Sequence, residues 1–251
     1  MSKTPEAMLL AQQLVAARQA RITLDNLDDA ILPKSAAEAY AVQQLTLAAL
    51  GGAGAYKVGP PLDGPSYAPI PAAKVWLNHQ DIVCSQFTKV GLELEIAFRF
   101  KSEINANHAQ SSDAEILEQV AQMMAVVEIV DSRYAKWPQI AKLAQLADLQ
   151  NNGGLIIGDA VPYAPDFDFV APDMIFSCGA QTVLAGAGGN PVGDPRHLLI
   201  WLVRKLIAQG QTIAPAQVVT TGSYSGCYFA PGADEVVGEI AGIGRVVFNL
   251  I

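Results

Sequence analysis

Three glutamates stand where a divalent cation could be held. Two lie in the segment Gly91-Leu-Glu-Leu-Glu-Ile-Ala-Phe-Arg-Phe100. Along a β-strand successive side chains point to opposite faces. Leu92, Leu94, Ile96 and Phe98 therefore share one face and pack into a core, while Glu93, Glu95, Ala97 and Arg99 share the other. Two glutamates on one strand face sit ~6.5–7 Å apart along it, close enough for both carboxylates to converge on one ion. In a sheltered cleft such a pair repels and takes up a proton unless a cation stabilises both as anions. All-oxygen ligation suits Mg2+ or Mn2+ better than Zn2+. Alone, the pair reads first as the wet face of an amphipathic strand. The third glutamate weighs against that. Glu128 interrupts Val126-Val127 and Ile129-Val130, in a segment that continues to Asp131, Ser132 and Arg133. A carboxylate in so apolar a strand needs a partner, because an unpaired buried charge is costly. A cation shared with Glu93 and Glu95 is one candidate, and an ion pair with Arg133 or a lysine is the other.

The elements that must position these groups are legible in outline. The first fifty residues read as helical. Met8 to Ala20 places apolar residues at three- and four-residue spacing. A second helix opens at Ser35, with Glu38 completing a capping box, and runs through Tyr40, Val42, Leu45 and Leu50 to Gly51-Gly52. After Gly54 short apolar runs alternate with Gly, Pro, Asn and Asp, the texture of strands and turns. The proline-interrupted segment Leu62 to Ala73 reads as an irregular loop, and Leu92 to Phe100 as a strand. Ser112 and Glu115 form a capping box that opens a short helix through Met124, and Val126 to Ser132 returns to strand. Asp194-Pro195 starts a helix that carries Leu198, Trp201 and Ile207 to Gly210. Val236 to Leu250 reads as a hairpin around Gly242-Ile243-Gly244.

The chain has 251 residues, long for one domain but not long enough to require two. Half of it is hydrophobic, so a large core can be buried, and at 16% charged residues it does not resemble a disordered chain. A net charge of -8 and a pI of about 4.8 argue against nucleic-acid binding. No run of Lys or Arg suits an anionic membrane surface, and no stretch approaches the ~20 apolar residues of a membrane helix. The N-terminus lacks the uninterrupted apolar core of a signal peptide. A cytoplasmic location is expected. Cys84, Cys178 and Cys227 have neither disulfide nor zinc spacing and are expected to be reduced thiols. Gly186 to Asn190 lacks the nucleotide-loop fingerprint and leads into Pro191 rather than a helix. Gly222 to Gly226 misses the nucleophile elbow, because Tyr224 takes the nucleophile position. His79, His108 and His197 have no metal-ligand spacing.

Glu-Leu-Glu-Ile-Ala-Phe (93–98), followed by Glu-Ile-Val-Asp-Ser-Arg (128–133), resembles the 2-keto-4-pentenoate hydratase and 4-oxalocrotonate decarboxylase branch of the fumarylacetoacetate hydrolase superfamily. The likeness extends over nearly the whole chain. Ala39-Tyr40-Ala-Val-Gln43 matches the "AYxVQ" helix and Tyr56-Lys57-Val58-Gly59 the "KxG" turn. Gly193-Asp-Pro195 and Trp201-Leu202 match the late helix, Thr220-Thr-Gly-Ser223 the "LTGS" strand, and Gly242-Ile-Gly244 the closing hairpin. The resemblance implies a single catalytic α+β domain over residues 1–251. Its helical N-terminal region would cover 1–52 and the family's mixed β-roll 53–251, in a homo-oligomer; the acidic composition leaves no expected nucleic-acid or membrane partner. It implies that Glu93, Glu95 and Glu128 bind Mg2+ or Mn2+. It also implies that a 2-oxo or 2-hydroxy-dienoate chelates the ion, which acts as a Lewis acid for the enolate that forms. Water addition gives a hydratase, and loss of CO2 a decarboxylase.

Lys57 is then the active-site lysine, stabilising the anion or transferring a proton. Ser223 is a candidate donor to the substrate carboxylate, with a turn-forming bond to the backbone as its alternative. Asp131 is a further catalytic candidate, with pairing to Arg133 as its alternative. Two features depart from the family pattern. The lysine turn reads Lys57-Val-Gly-Pro-Pro61 where hydratases usually read "KxGLTS", and Ser66-Tyr67-Ala-Pro-Ile-Pro71 lacks the usual acidic residue. The missing acid bears on water addition more than on metal binding, and the altered lysine turn bears on turnover itself. An acylpyruvate-type C–C hydrolase and a non-catalytic metal or 2-oxo-acid binder remain the alternatives to a lyase.

Overall fold

The computed structural model of the chain describes residues 4–25, 27–62 and 64–251. Helix α1 (Pro5–Ala20) begins where the Thr4 hydroxyl accepts from the Ala7 N–H and ends at Arg21, whose φ of 58° turns the chain out of the helix. Helix α2 (Ala36–Ala49) is capped by Ser35, which accepts from the Glu38 N–H. The Glu38 carboxylate accepts from Lys34 N at 2.8 Å, one residue before the cap, so the expected capping box closes on its neighbour. Both helices lay their buried faces, Leu10 and Leu14 on one and Tyr40 and Val42 on the other, against the core.

Strands β1 (Ala53–Leu62), β2 (Gly64–Pro71), β3 (Val75–Leu77), β4 (Asp81–Ile82), β5 (Gly91–Phe100), β6 (Val120–Val130) and β7 (Asn152–Pro162) come next. They are followed by β8 (Asp173–Cys178), β9 (Gln181–Ala187), β10 (Val218–Ser223), β11 (Tyr228–Phe229), β12 (Asp234–Ile240) and β13 (Gly244–Leu250). An eight-stranded mixed sheet runs β2-β1-β10-β5-β6-β7-β3, with β11 also on β5, and a five-stranded sheet runs β4-β13-β12-β8-β9. Short helices α3 (Asp113–Glu118) and α4 (Lys142–Ala147) flank β6, and α5 (Arg196–Ala208) packs beside β1, β2 and β10. Helix α5 has Pro195 at its N-cap, and the Asp194 carboxylate just before it accepts from Arg196 N at 2.9 Å. The hairpin expected at 236–250 is β12-β13.

Two expectations are corrected. Leu62 to Ala73 is not an irregular loop, because Gly64–Pro71 is strand β2. Its prolines are tolerated because β2 is the outer strand of its sheet, where a missing N–H costs no ladder bond. The helix opened by Ser112 does not reach Met124. Its capping box forms with both reciprocal bonds, but the helix stops at Glu118. Met123 and Met124 already pair with Phe98 and Ala97 of β5 and with Val161 and Ala160 of β7. The box sets only where a helix starts, and pairing on two sides decides where it gives way to strand.

The large core takes in Leu92, Leu94, Ile96 and Phe98 from one face of β5, and the second sheet covers it. The approach is close, since a Cβ at Gly238 of β12 would come within 2.5 Å of Leu94 Cδ1. The other face of β5 and β6 carries a smaller apolar cluster that includes Ala97, Met124 and Val126. Glu93, Glu95 and Glu128 continue that second face. No helix among the described residues is long and apolar enough to cross a membrane.

Candidate metal and active site

Strands β5 and β6 are registered so that Glu93 faces Glu128 directly and Glu95 faces Val126. Like charges directly opposite one another destabilise an antiparallel pair, so this register asks for a counter-charge. One oxygen from each of the three carboxylates lies within 4.8 Å of the others. Glu128 is 0% exposed and Glu95 2%. Glu95 Oε2 accepts from Gly222 N at 2.9 Å and from the Thr220 hydroxyl. Gly222 has φ 93°, a conformation open to glycine, which lets the chain turn its N–H onto the carboxylate. Glu128 Oε1 accepts from Lys57 Nζ at 2.5 Å and from Asn152 Nδ2 at 3.1 Å. Glu128 Oε2 is buried with no hydrogen-bond partner among the described residues. An orphaned carboxylate oxygen beside two further carboxylates is what a hard divalent cation satisfies, and the all-oxygen donor set fits Mg2+ or Mn2+.

The cluster opens into a cavity of about 480 Å³ bordered by Lys57, Glu93, Glu95, Trp137, Pro138, Lys142, Gln150, Pro191 and Ser223, among others. Lys57 Nζ also donates to the Gln150 carbonyl at 3.3 Å. Ser223 reaches the cavity wall and donates its hydroxyl to the Gly226 carbonyl at 3.1 Å. The structure thus brings together Lys57, Glu93, Glu95, Glu128 and Ser223. It does not bring Asp131 to them. Asp131 is three residues from Glu128, and an odd spacing along an extended chain reverses the face. Its carboxylate accepts from Thr88 N, Thr88 Oγ1, Lys89 N and Arg133 Nη1, which leaves it a bracing role.

No family model matches the chain. A 2-keto-4-pentenoate hydratase from Paraburkholderia phymatum is 22% identical over 250 residues, covering 94% of each chain. A 4-oxalocrotonate decarboxylase from a Pseudomonas species is 22% identical over 235 residues, covering 88% of each. Among solved structures, a 4-oxalocrotonate decarboxylase from Pseudomonas putida G7, in complex with magnesium and adipate, superposes with a TM-score of 0.85 at 18% identity. The match covers 100% of this chain and 99% of that one. A Yersinia pestis protein assigned to the fumarylacetoacetate hydrolase family superposes with a TM-score of 0.58 at 15% identity, over 78% of this chain and 92% of that one. The fold is that of the fumarylacetoacetate hydrolase superfamily. Within that superfamily, the sequence relatives are named for the hydratase and decarboxylase branch that the EIVDSR string resembles.

Several residues that build this site were not singled out for that part in the sequence, Thr220 and Gly222 standing there only within the Thr220-Thr-Gly-Ser223 match. Thr220, Gly222 and Asn152 hold two of the three carboxylates from strands far away in the chain. Gln150 places its carbonyl on Lys57, and its amide donates to the buried Ser66 hydroxyl at 2.5 Å. The segment lacking the family's acidic residue thus contributes a neutral support to the cavity wall. A signal for Asn152 does exist in hindsight, in the polar run Gln150-Asn151-Asn152 just ahead of the apolar Leu155-Ile156-Ile157.

The field at the site is strong. Burial, followed by the charge of Glu128, pushes Glu93 up to about 7 in the metal-free protein. Burial, then Glu128 and Glu93, pushes Glu95 up to about 8. Burial alone would lower the pKa of Lys57, but Glu128, Glu93 and Glu95 outweigh it and raise it, so Lys57 stays an ammonium. The sign of the pH dependence follows. Between the ordinary carboxylate value of 4.5 and about 8 the folded protein holds protons that the unfolded chain releases. These two groups therefore stabilise the metal-free fold least at the alkaline end of that window. Relative to wild type, Glu95→Gln is expected to gain in melting temperature as pH rises from 5 to 8 without metal. Wild-type Mg2+ affinity should rise over the same range as the protons are displaced. A wild-type-minus-variant difference that is flat with pH would contradict the shift at Glu95.

Proposed function

We propose that the chain is a divalent-metal-dependent lyase for 2-oxo acids, and that its substrate is an unsaturated 2-oxo dicarboxylate which it decarboxylates. The observation that carries this reading is the convergence of Glu93, Glu95 and Glu128 beside the Lys57 ammonium at the edge of one cavity. The three carboxylates would hold the cation, which when bound supplies Lewis-acid stabilisation to negative charge developing on substrate oxygen. With one ammonium and one dication the three carboxylates are neutralised, so an anionic substrate meets no net repulsion. Val130, Trp137, Pro138 and Pro191 give the cavity apolar walls that keep water from a bound dienoate.

Lys57 is held between Glu128 and the Gln150 carbonyl in its charged form, the state of a proton donor. When the C–C bond to the carboxylate breaks, CO2 leaves, the electron pair enters the conjugated chain, and Lys57 supplies the proton that quenches it. Lys142, from the first turn of α4, borders the same cavity and provides a counter-charge for a second carboxylate. That charge and the whole-chain superposition on a decarboxylase favour decarboxylation. The full-length hydratase relative favours water addition as the second reading.

The test is to supply 4-oxalocrotonate or 2-hydroxypent-2,4-dienoate with Mg2+ or Mn2+ and to follow CO2 release and the products by NMR. Metal-dependent CO2 release from the first supports the proposal. Hydration of the second with no CO2 from the first would replace it with the hydratase reading, and turnover of neither would remove the lyase assignment. Lys57→Met is expected to retain Mg2+-dependent oxalate binding by calorimetry while kcat falls by about 10²–10⁴-fold, the range for a general acid. Loss of oxalate binding instead would make Lys57 a part of the binding site.

A further inference from the structure

A second cavity, of about 250 Å³, shares no lining residue with the first. Four cationic side chains border it, Arg18, Arg21, Lys74 and Arg133, against one carboxylate, Asp131. That concentration is unexpected in a chain of net charge -8. The carboxylates nearby are already committed. Asp131 accepts from Thr88, Lys89 and Arg133, and the buried Asp148 pairs with both Arg18 and Arg133. Neither Lys74 nor Arg21 has a carboxylate within 4.0 Å among the described residues; Lys74 Nζ donates to the neutral Gln86 amide oxygen at 3.1 Å and lies 5.5 Å and 5.3 Å from the ring centroids of Trp76 and Phe87. The Arg18 side chain is 10% exposed, and its Nε is buried without a hydrogen-bond partner among the described residues. Burial first, then the charges of Arg18 and Arg21, lowers the pKa of Lys74 against the opposing charge of Asp131. The cavity walls therefore carry an excess of positive charge that Asp131 offsets only in part.

We propose that this cavity is a binding site for a small oxyanion carrying two negative charges, of the phosphate or dicarboxylate class. Lys74 and Arg21, which have no carboxylate in contact, supply the two charges, with Arg18 lining the same wall, and charge-assisted bonds of this kind are the strong ones. The volume suits such an ion. It exceeds several waters, each taking about 30 Å³, and falls below the roughly 300–1,000 Å³ of sites for drug-sized ligands. The site lies outside the metal-binding carboxylates and does not depend on the lyase reading.

Calorimetric titration of the metal-free full chain at low ionic strength, with inorganic phosphate and separately with malonate, tests the proposal. At least one of the two is expected to bind one-to-one with Kd below about 1 mM, and which one binds identifies the class. Lys74→Gln/Arg21→Gln should lose about tenfold or more in affinity, as expected when charged donors are removed. Lys57→Met, in the other cavity, should bind as wild type. Arg21→Gln alone, at an exposed position, serves if the double variant does not give a native circular-dichroism spectrum. No binding of either anion up to about 10 mM, unchanged affinity in the arginine and lysine variants, or loss of binding in Lys57→Met would each overturn the site.

Discussion

Glu128→Gln is expected to abolish metal binding while leaving the fold intact. Glutamine keeps the shape of glutamate, and its amide oxygen can still accept from Lys57 and Asn152, the two partners of Glu128 Oε1. What is lost is the negative charge, together with the anionic oxygen that has no other partner. Mg2+ affinity should fall by more than about 100-fold, beyond the 10–100-fold typical of groups that merely support a ligand. Turnover should fall by roughly 10³-fold or more, the several kcal/mol that a Lewis acid contributes. Calorimetry with Mg2+ and steady-state assays read the two effects separately. The Lys57 ammonium keeps Glu93 and Glu95 as counter-charges, so the circular-dichroism spectrum should be that of wild type. Wild-type Mg2+ affinity in this variant would reduce Glu128 to an ion-pair partner of Lys57 and end the three-carboxylate assignment.

Asp148→Ala should destabilise the protein by about 3–5 kcal/mol, the cost of leaving buried charges without their partner. Asp148 is fully buried and receives Arg133 N and Nε at 2.9 Å and Arg18 Nη2 at 3.0 Å. Without it, Arg133, the largest fully buried side chain among the described residues, keeps Asp131 as its one counter-charge among them. The next three residues, Leu149, Gln150 and Asn151, have φ of 52°, 52° and 56°. Such left-handed backbone costs roughly 1–2 kcal/mol per non-glycine residue, so surrounding contacts must hold it. Those contacts include Ser132 Oγ to Asn151 Oδ1 at 3.0 Å and Gln150 Nε2 to Ser66. This loop carries the carbonyl that accepts from Lys57 and leads into Asn152, whose amide holds Glu128. The variant should therefore also bind Mg2+ more weakly, by an amount the stability loss alone does not explain. Urea unfolding measures the first effect. A loss below about 1 kcal/mol, the level of an exposed ion pair, would mean that the loop is held by other contacts.

The string Glu-Ile-Val-Asp-Ser-Arg thus has two separate jobs. Glu128 faces the carboxylate cluster with Glu93 and Glu95, while Asp131, Ser132 and Arg133 brace the segments around it through Thr88, Asn151 and Asp148. Asp131, Ser132 and Arg133 are each hydrogen-bonded, which accounts for so polar a set at the end of so apolar a strand, while Glu128 leaves one oxygen without a partner among the described residues. The sequence reading offered Asp131 both a catalytic role and a pairing with Arg133. Counting faces from Glu128 would have separated the two.

The period-two alternation of Leu92 to Phe100 was enough to place Glu93 and Glu95 on one face and the apolar residues in the core. An intrinsically apolar strand around Glu128 was enough to mark that carboxylate as buried and in need of a partner. Both signals are local, so both were legible from the chain alone, as were the helix starts at Ser35 and Ser112. Lys57 was visible only through resemblance, because an isolated lysine has no pattern of its own. The register that sets Glu93 against Glu128 comes from long-range strand pairing, as do the Thr220, Gly222 and Asn152 bonds to the carboxylates. The outer position that lets β2 keep its prolines, and the gathering of Arg18, Arg21, Lys74 and Arg133 around a second cavity, were likewise decided only by the tertiary structure. Local propensity and periodicity act over a few residues. Burial of a carboxylate, the field around a lysine and the partner of a left-handed loop depend on groups brought together from across the chain.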